Sequence, residues 1–423
     1  MSEKKHKERR RKERAKKEEP KVNKISDVKM AYIMYGKKAF IVPIVIAIIL
    51  GAVIWGIVYN ARKNNAPQET ADNQKEQINY IWGEIKPGKK NANNYTTVTS
   101  SDGIQVPVPT GYTASSASDE NSVNGGFVIY EGTEAVTDSN KWGAQCNRNQ
   151  YVWIPIADVS DMYLRDQTTG KKYGTYYNFT ESAYTKGANH SYEPQITSYD
   201  IQSTYLTQYL NGMSREDFLM EMEIDFDKML NSVATYGGYY IGRYQTGDLS
   251  QATPVIKRIN SDIGSQNWWQ MWKKARKLSG TSAGVQMIWG IQWDETLKWL
   301  IDTGEKTYAE IASDSTSWGN YWDNSFTYYT DTSKSTATKN SGRSTRIPSG
   351  AYEGANANNV YDLAGNVWEW TLESSGSGIG DARCSRGGSQ VYDGDTCPAE
   401  YRSYYYPDGS SDNVGLRCTL FIK

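Results

Sequence analysis

Twenty-one consecutive residues without a charge, Ala39 to Tyr59 (AFIVPIVIAIILGAVIWGIVY), constrain this chain more than any other feature. At about 1.5 Å of rise per helical residue they reach across a hydrocarbon core of roughly 30 Å. The stretch predicts a spanning helix. Pro43 falls in its first turn, where a missing N–H costs least, and Trp55 and Tyr59 fall toward the far end, where amphipathic rings favour the interface.

The flanks predict the orientation. Residues 1–38 carry fifteen Lys/Arg against six Asp/Glu, whereas only Arg62 and Lys63 follow the span closely. The basic side stays in the cytoplasm, which makes the span an uncleaved signal anchor and the chain a single-pass protein of the cell membrane with an extracytoplasmic C-terminal part. A cleavable signal is the rival reading, but no A-x-A-like site follows an apolar region of ordinary length. Glutamates interleave the basic arm beside the membrane, so topology and anionic lipid explain it better than nucleic acid, and no nucleic-acid partner is expected.

The organisation reads as a cytoplasmic arm (1–38), a transmembrane helix (39–59), a polar stalk (60–103) and an ectodomain (104–423). The stalk is too rich in Asn, Gln, Ser and Thr to build a core. From Ile104 onward, IQVPVP, GGFVIYEG, YVWIPI and GGYYIGRY are short β-branched and aromatic runs bounded by Gly and Pro, which read as strands. SREDFLMEMEIDFDKMLNSVATYGG reads as a helix capped by Ser214 and closed by Gly237. NWWQMWKKARKLSG and WDETLKWLIDTG read as two more, each closed by Gly, and the Ser/Thr/Asn-rich segment 312–350 reads as a long surface loop. A strand-rich C-terminal third after these helices argues for an α+β fold.

Three segments then appear in order: NVYDLAGNVWEWT (359–371), RGGS (386–389) and VGLR (414–417). Together they resemble the formylglycine-generating enzyme, or sulfatase-modifying factor, family, which implies a C-type-lectin-like ectodomain over roughly residues 104–423. VQMIWGIQWDETLKWL and SWGN (317–320) are similar to two further family segments, more loosely. Read without the family, the alternation in 367–370 lets one strand face bury Trp368 and Trp370 while the other presents Glu369.

The resemblance implies a structural calcium held at Asp362, Gly365, Val367 and Glu369, a set of oxygens suited to a hard cation. The plainer alternative has Asp362 capping a turn and Glu369 paired with Arg386 or Arg417. The family's catalysis is thiolate copper chemistry on two cysteines after the GGS strand. Here those positions are Tyr392 and Cys397, so half of the copper site is absent and copper oxidation is not expected. Ser389 matches the family's serine in that strand and equally suits an ordinary strand hydroxyl.

Other chemistries find little material. The two histidines are His6, in the basic arm, and His190, which reads as a surface residue, and no triad, zinc-knuckle or phosphate-loop signature is present. Cys146, Cys384, Cys397 and Cys418 all follow the span, and four cysteines in an oxidising compartment predict two disulfides with three possible connectivities. If the RGGS and VGLR strands are neighbours, Cys384–Cys418 is one bridge and Cys146–Cys397 the other.

The whole chain has 32 Tyr and 14 Trp against 7 Phe. Five of the tyrosines lie in QVYDGDTCPAEYRSYYYPDGSSDN, between RGGS and VGLR, among many Ser, Asp and Asn. Rigid amphipathic rings beside small polar neighbours are the composition of a paratope. Tyr392, Asp393, Asp395, Tyr401, Ser403, Tyr404, Tyr405 and Asp408 are the candidate ligand-binding positions, for an extracellular protein or glycan. The arrangement is similar to the variable proteins of diversity-generating retroelements, which vary such loops on a lectin-like scaffold. Three functions stand: a calcium-stabilised binding or display protein, an enzyme of the family with altered chemistry using Cys397 and Ser389, and a structural surface component.

Overall fold

In chain order the structure begins with strands β1 (Tyr95–Thr99), β2 (Gln105–Pro109), β3 (Tyr112–Ala114) and β4 (Val128–Glu131), helix α1 (Lys141–Asn147) and strand β5 (Gln150–Pro155). Two hairpins follow, β6 (Tyr163–Arg165) with β7 (Lys172–Gly174) and β8 (Tyr176–Phe179) with β9 (Tyr184–Gly187). Helix α2 (Arg215–Tyr236), β10 (Gly238–Gly242), α3 (Trp268–Ala275), β11 (Ala283–Met287), α4 (Gly290–Asp302) and α5 (Tyr308–Ala312) form the middle. The last part holds the hairpins β12 (Phe326–Tyr329) with β13 (Thr336–Lys339) and β14 (Asn356–Ala357) with β15 (Val360–Tyr361). It continues through β16 (Trp368–Ser374), β17 (Arg383–Arg386), β18 (Arg402–Tyr405), β19 (Val414–Leu416) and β20 (Cys418–Ile422).

This computed structural model describes residues 84–166, 170–187, 208–209, 213–374 and 382–423. The basic arm, the expected span at 39–59, the stalk up to residue 83 and His190 lie outside the described residues. Among the described residues no helix is long and apolar enough to cross a membrane.

Two sheets carry the fold, which is mixed α and β. The larger is antiparallel, in the order β11, β20, β10, β5, β4, β3. The smaller runs β18, β17, β16, β19, antiparallel except for the parallel pair of β16 and β19. One continuous core joins them, with Phe226 and Leu230 from α2, Trp268 and Trp269 from α3, Trp293 and Leu297 from α4 and Trp370 from β16. Burying side chains of this size supplies roughly 1.5–3 kcal/mol each.

Local signals set the helix ends. The Ser214 hydroxyl accepts from the Asp217 N–H at 3.1 Å, and Gly237 closes α2 at φ 83°, in the left-handed region. Asn267 and Gln270 form a capping box at the start of α3. Helices α3 and α4 end at Ala275 and Asp302, short of the glycines at 280 and 304.

Three expectations change. The stretch read as stalk contains β1, which pairs with β2 from Tyr95↔Pro109 to Thr99↔Gln105. Its YTTVT run is β-branched and aromatic enough for a strand, and its polar surroundings hid it. The segment read as surface loop contains β12 and β13, and Phe326, Ile347 and Ala351 form a small second core there. The predicted disulfides are absent: all four cysteines are free. Strand β16 lies between β17 and β19, so RGGS and VGLR are not neighbours, and Cys384 and Cys418 belong to different sheets.

Candidate functional site

The smaller sheet places the motif residues. In the turn before β16, Asp362, Gly365 and Asn366 take positive φ of 59°, 72° and 62°. The side chain of Asn366 holds that turn. Its Oδ1 accepts from the Ile347 N–H (3.1 Å) and from Asn320 Nδ2 (3.0 Å), while its Nδ2 donates to the Ile347 carbonyl (3.2 Å) and to Gln245 Oε1 (2.8 Å).

Glu369 is not presented to solvent. It is fully buried and clamped by Arg417, whose Nε donates to Oε2 at 2.8 Å and whose Nη2 donates to Oε1 at 2.7 Å. Every residue of β16 is buried, so neither strand face is open where Glu369 was expected to be displayed. The partner is Arg417, one of the two left open by sequence.

Register then separates two chemistries. Glu369, Arg386 and Arg402 lie abreast across β16, β17 and β18, and Trp370, Ser385 and Ser403 form the next rung. Adjacent rungs point to opposite faces. On the charged face, Arg386 Nη2 donates to Asp294 Oδ1 at 2.7 Å, Arg402 donates to Asp294 Oδ2, and Arg402 Nε donates to Glu373 Oε1 at 3.1 Å. Asp294 also accepts from the Tyr177 N–H at 2.8 Å. The next residue on α4, Glu295, accepts from the Tyr177 hydroxyl at 2.6 Å, and burial pushes its carboxyl up to about 7.

The opposite face is aromatic. The Tyr392 ring meets buried Trp368 edge-on at 5.9 Å, Tyr401 meets Trp368 at 5.9 Å in a tilted contact, and Tyr405 tilts against Trp370 at 6.3 Å. These three tyrosines, with Trp322 and Tyr406, are 41% to 54% exposed. The backbone N–H of Trp322 donates to the Tyr392 carbonyl at 2.8 Å, which brings the 320s loop to the same edge.

The sequence candidates therefore divide. Tyr392, Tyr401 and Tyr405 come together around the two tryptophans. Tyr404 pairs with Cys384 in the ladder and points to the other face from Tyr405. Asp395 and Asp408 are exposed, whereas Asp393 and Ser403 are partly buried and serve the backbone: the Asp393 carbonyl accepts from the Thr396 and Cys397 N–H groups, and the Ser403 carbonyl from the Ser385 hydroxyl. Trp322 and Tyr406 were missed. The signals were a tryptophan standing among Asn and Asp just after SWGN, and the third ring of the YYY run.

The residues suited to covalent chemistry are hidden. Burial pushes the Cys397 thiol up to about 11 and the Cys418 thiol up to about 12, and raises Cys384 and Cys146 as well. A protonated thiol is a poor nucleophile and a poor ligand for a soft metal. The Ser389 hydroxyl is buried without a hydrogen-bond partner. Gly388 has φ 75°, and a Cβ there would lie 2.3 Å from the Cys397 carbonyl oxygen, so only glycine lets these two segments close together. Among the described residues no group of three or more His, Cys, Asp or Glu side chains could hold a metal ion.

The positions implied for calcium do not fit a cation as they stand. Gln245 Nε2, a donor, approaches the Val367 carbonyl (3.1 Å), Glu369 Oε1 (2.9 Å) and the Asp362 carbonyl (3.4 Å). Calcium would need several of these oxygens at about 2.4 Å.

Comparison with known proteins places this site in context. Residues 267–421 match the family described as a sulfatase-modifying factor enzyme 1-like domain. That span contains all three motifs, so the resemblance read from them is shown there. The chain is 38% identical over 77 residues to Inactive C-alpha-formylglycine-generating enzyme 2 of Bos taurus, covering 17% of this chain and 25% of that protein. It is 34% identical over 98 residues to Formylglycine-generating enzyme of Streptomyces coelicolor, covering 19% and 31%. The chain thus spans about a quarter to a third of the length of these curated relatives. Among solved structures, Treponema denticola variable protein 1 aligns at 18% identity over 43% of this chain and 84% of that one, with a TM-score of 0.27.

Proposed function

We propose that this chain is a membrane-anchored, extracytoplasmic ligand-binding or display protein built on a formylglycine-generating-enzyme-like, C-type-lectin-like scaffold. One observation carries the reading: Tyr392, Tyr401 and Tyr405 stand exposed on a buried Trp368–Trp370 base, with Trp322 beside them. Rigid aromatic rings present contact area at low entropic cost, as paratopes do. The uncharged stretch at 39–59 supports the anchor. The ligand is an extracellular protein or glycan, and the exposed rim positions are the ones a diversity-generating element would vary. A near-copy of the 3′ end of the gene beside a reverse transcriptase gene is the observation expected in that case.

The test is binding of the full chain to arrays of immobilised glycans and peptides. Replacing Tyr392 and Tyr405 by Ala removes the signal while the folded circular-dichroism spectrum stays. An unchanged signal refutes the assignment.

A second reading, an enzyme with altered chemistry, draws on the unpartnered Ser389 hydroxyl beside the Cys397 segment. Against it stand Tyr392 at the first cysteine position, the raised Cys397 thiol and a relative whose own name contains the word inactive. Alkylation under denaturing conditions without reductant is expected to modify all four cysteines. Copper bound at one equivalent by the folded chain would favour the enzyme.

A further inference from the structure

We propose that Arg417 and Gln245 replace a bound calcium ion in this chain, fastening the 361–369 turn to the scaffold from within and making the domain calcium-independent.

The hydrogen bonds define the replacement. The Arg417 guanidinium reaches three segments: both oxygens of Glu369, the Tyr361 carbonyl (2.8 Å) and the Gly242 carbonyl at the end of β10 (2.8 Å). Gln245 adds the Val367 and Asp362 carbonyls and shares Glu369 Oε1. Two side chains thus gather six oxygens of 242–369, the task a hard cation performs elsewhere with a similar number of ligands.

The orientation of the Gln245 amide decides the matter, because a flipped amide would offer an oxygen to a metal. It is fixed from a distance. The Ile347 N–H can only donate and the Ile347 carbonyl can only accept, so the pair sets which end of the Asn366 amide is oxygen. Asn366 Nδ2 then faces Gln245, which requires Gln245 Oε1 at that end and Nε2 toward Val367 and Glu369. A calcium ion at this place would meet two N–H bonds pointing at it. Arg417 already neutralises Glu369, so one of the two carboxylates at this place is spent on an internal pair. Asp362 Oδ1 is buried without a donor. Of the side-chain oxygens at the four implied positions it is the one left open, short of the six to eight oxygens that calcium takes.

The experiment is thermal unfolding of the full chain in about 5 mM calcium, above the ~10⁻⁴–10⁻³ M dissociation constants of extracellular calcium modules, and again in excess EGTA. Midpoints agreeing within about 1 °C are expected, whereas a drop of roughly 5 °C or more in EGTA overturns the proposal. Gln245→Glu supplies the complementary arm: it puts an anionic oxygen where the N–H bonds now point. Its midpoint should fall in EGTA and recover by several degrees with calcium, and a folded variant indifferent to calcium counts against the replacement. If the variant does not fold, the unmodified chain decides alone. Neither readout involves the aromatic rim, so failure here leaves the ligand-binding proposal standing.

Discussion

The two faces of the sheet formed by β16, β17 and β18 follow opposite rules. One face carries the buried Arg386 and the half-buried Arg402, tied to Asp294 and Glu373, with Glu369 tied to Arg417. The other carries Trp368 and Trp370 under tyrosines that lean on them through ring contacts and reach solvent. A buried charge that loses its partner is costly, so positions on the first face cannot change singly. An exposed ring that loses its neighbour costs the fold little, so positions on the second can. The difference assigns framework to one face and, under the proposed function, recognition to the other.

The largest expected break is Glu369→Ala, which leaves the Arg417 guanidinium buried and unanswered. Urea unfolding should show a loss of about 3–5 kcal/mol, and a loss near zero would abolish the contrast. Next comes pH. Glu295 holds its proton to about 7 in the fold, while the unfolded chain releases it near the ordinary value of about 4.3. The unfolded state therefore binds fewer protons between those limits, so stability falls as pH rises from about 4.3 to about 7, by roughly 3 kcal/mol for this group. Glu295→Gln keeps an acceptor for Tyr177 and removes the titration, so the slope should flatten. Part of it should persist, because burial also raises Asp227 to about 7.

Smaller is Gly388→Ala, which forces a side chain into a left-handed position against the Cys397 carbonyl and should cost about 1–3 kcal/mol in thermal or urea unfolding. Smallest in stability are Tyr392→Ala and Tyr405→Ala, expected within about 0.5 kcal/mol of the parent. Their effect belongs to binding. Tyr404→Ala, on the other face, sharpens the comparison: it should weaken array binding less than Tyr405→Ala does, and an equal loss would erase the division between the faces.

The motifs made much of the smaller sheet readable, because NVYDLAGNVWEWT, RGGS and VGLR hold the very side chains that lock it, Glu369, Arg386 and Arg417. Helix α2 was readable from its own ends, Ser214 and Gly237. Strand β1 and the β12–β13 hairpin were not, since short hairpins in polar text owe their existence to pairing rather than to hydrophobic pattern. The choice between Arg386 and Arg417 for Glu369 needed the strand order. Gln245 acts on Glu369 from 124 residues away, which no local spacing encodes. Naming Tyr404 and Tyr405 together overlooked the two-residue period of a strand, which sends them opposite ways.

The position of β20 bears on how the chain acquires its shape. It is the last described strand in chain order, yet it lies inside the larger sheet, hydrogen-bonded on one side to β10 and on the other to β11. During synthesis β10 and β11 emerge well over a hundred residues before the strand that joins them, and until it arrives both present unpaired edges. Such long-range closure folds slowly and exposes strands to wrong partners. The interval between the appearance of β11 and of β20 is the period in which a chaperone would have most to protect.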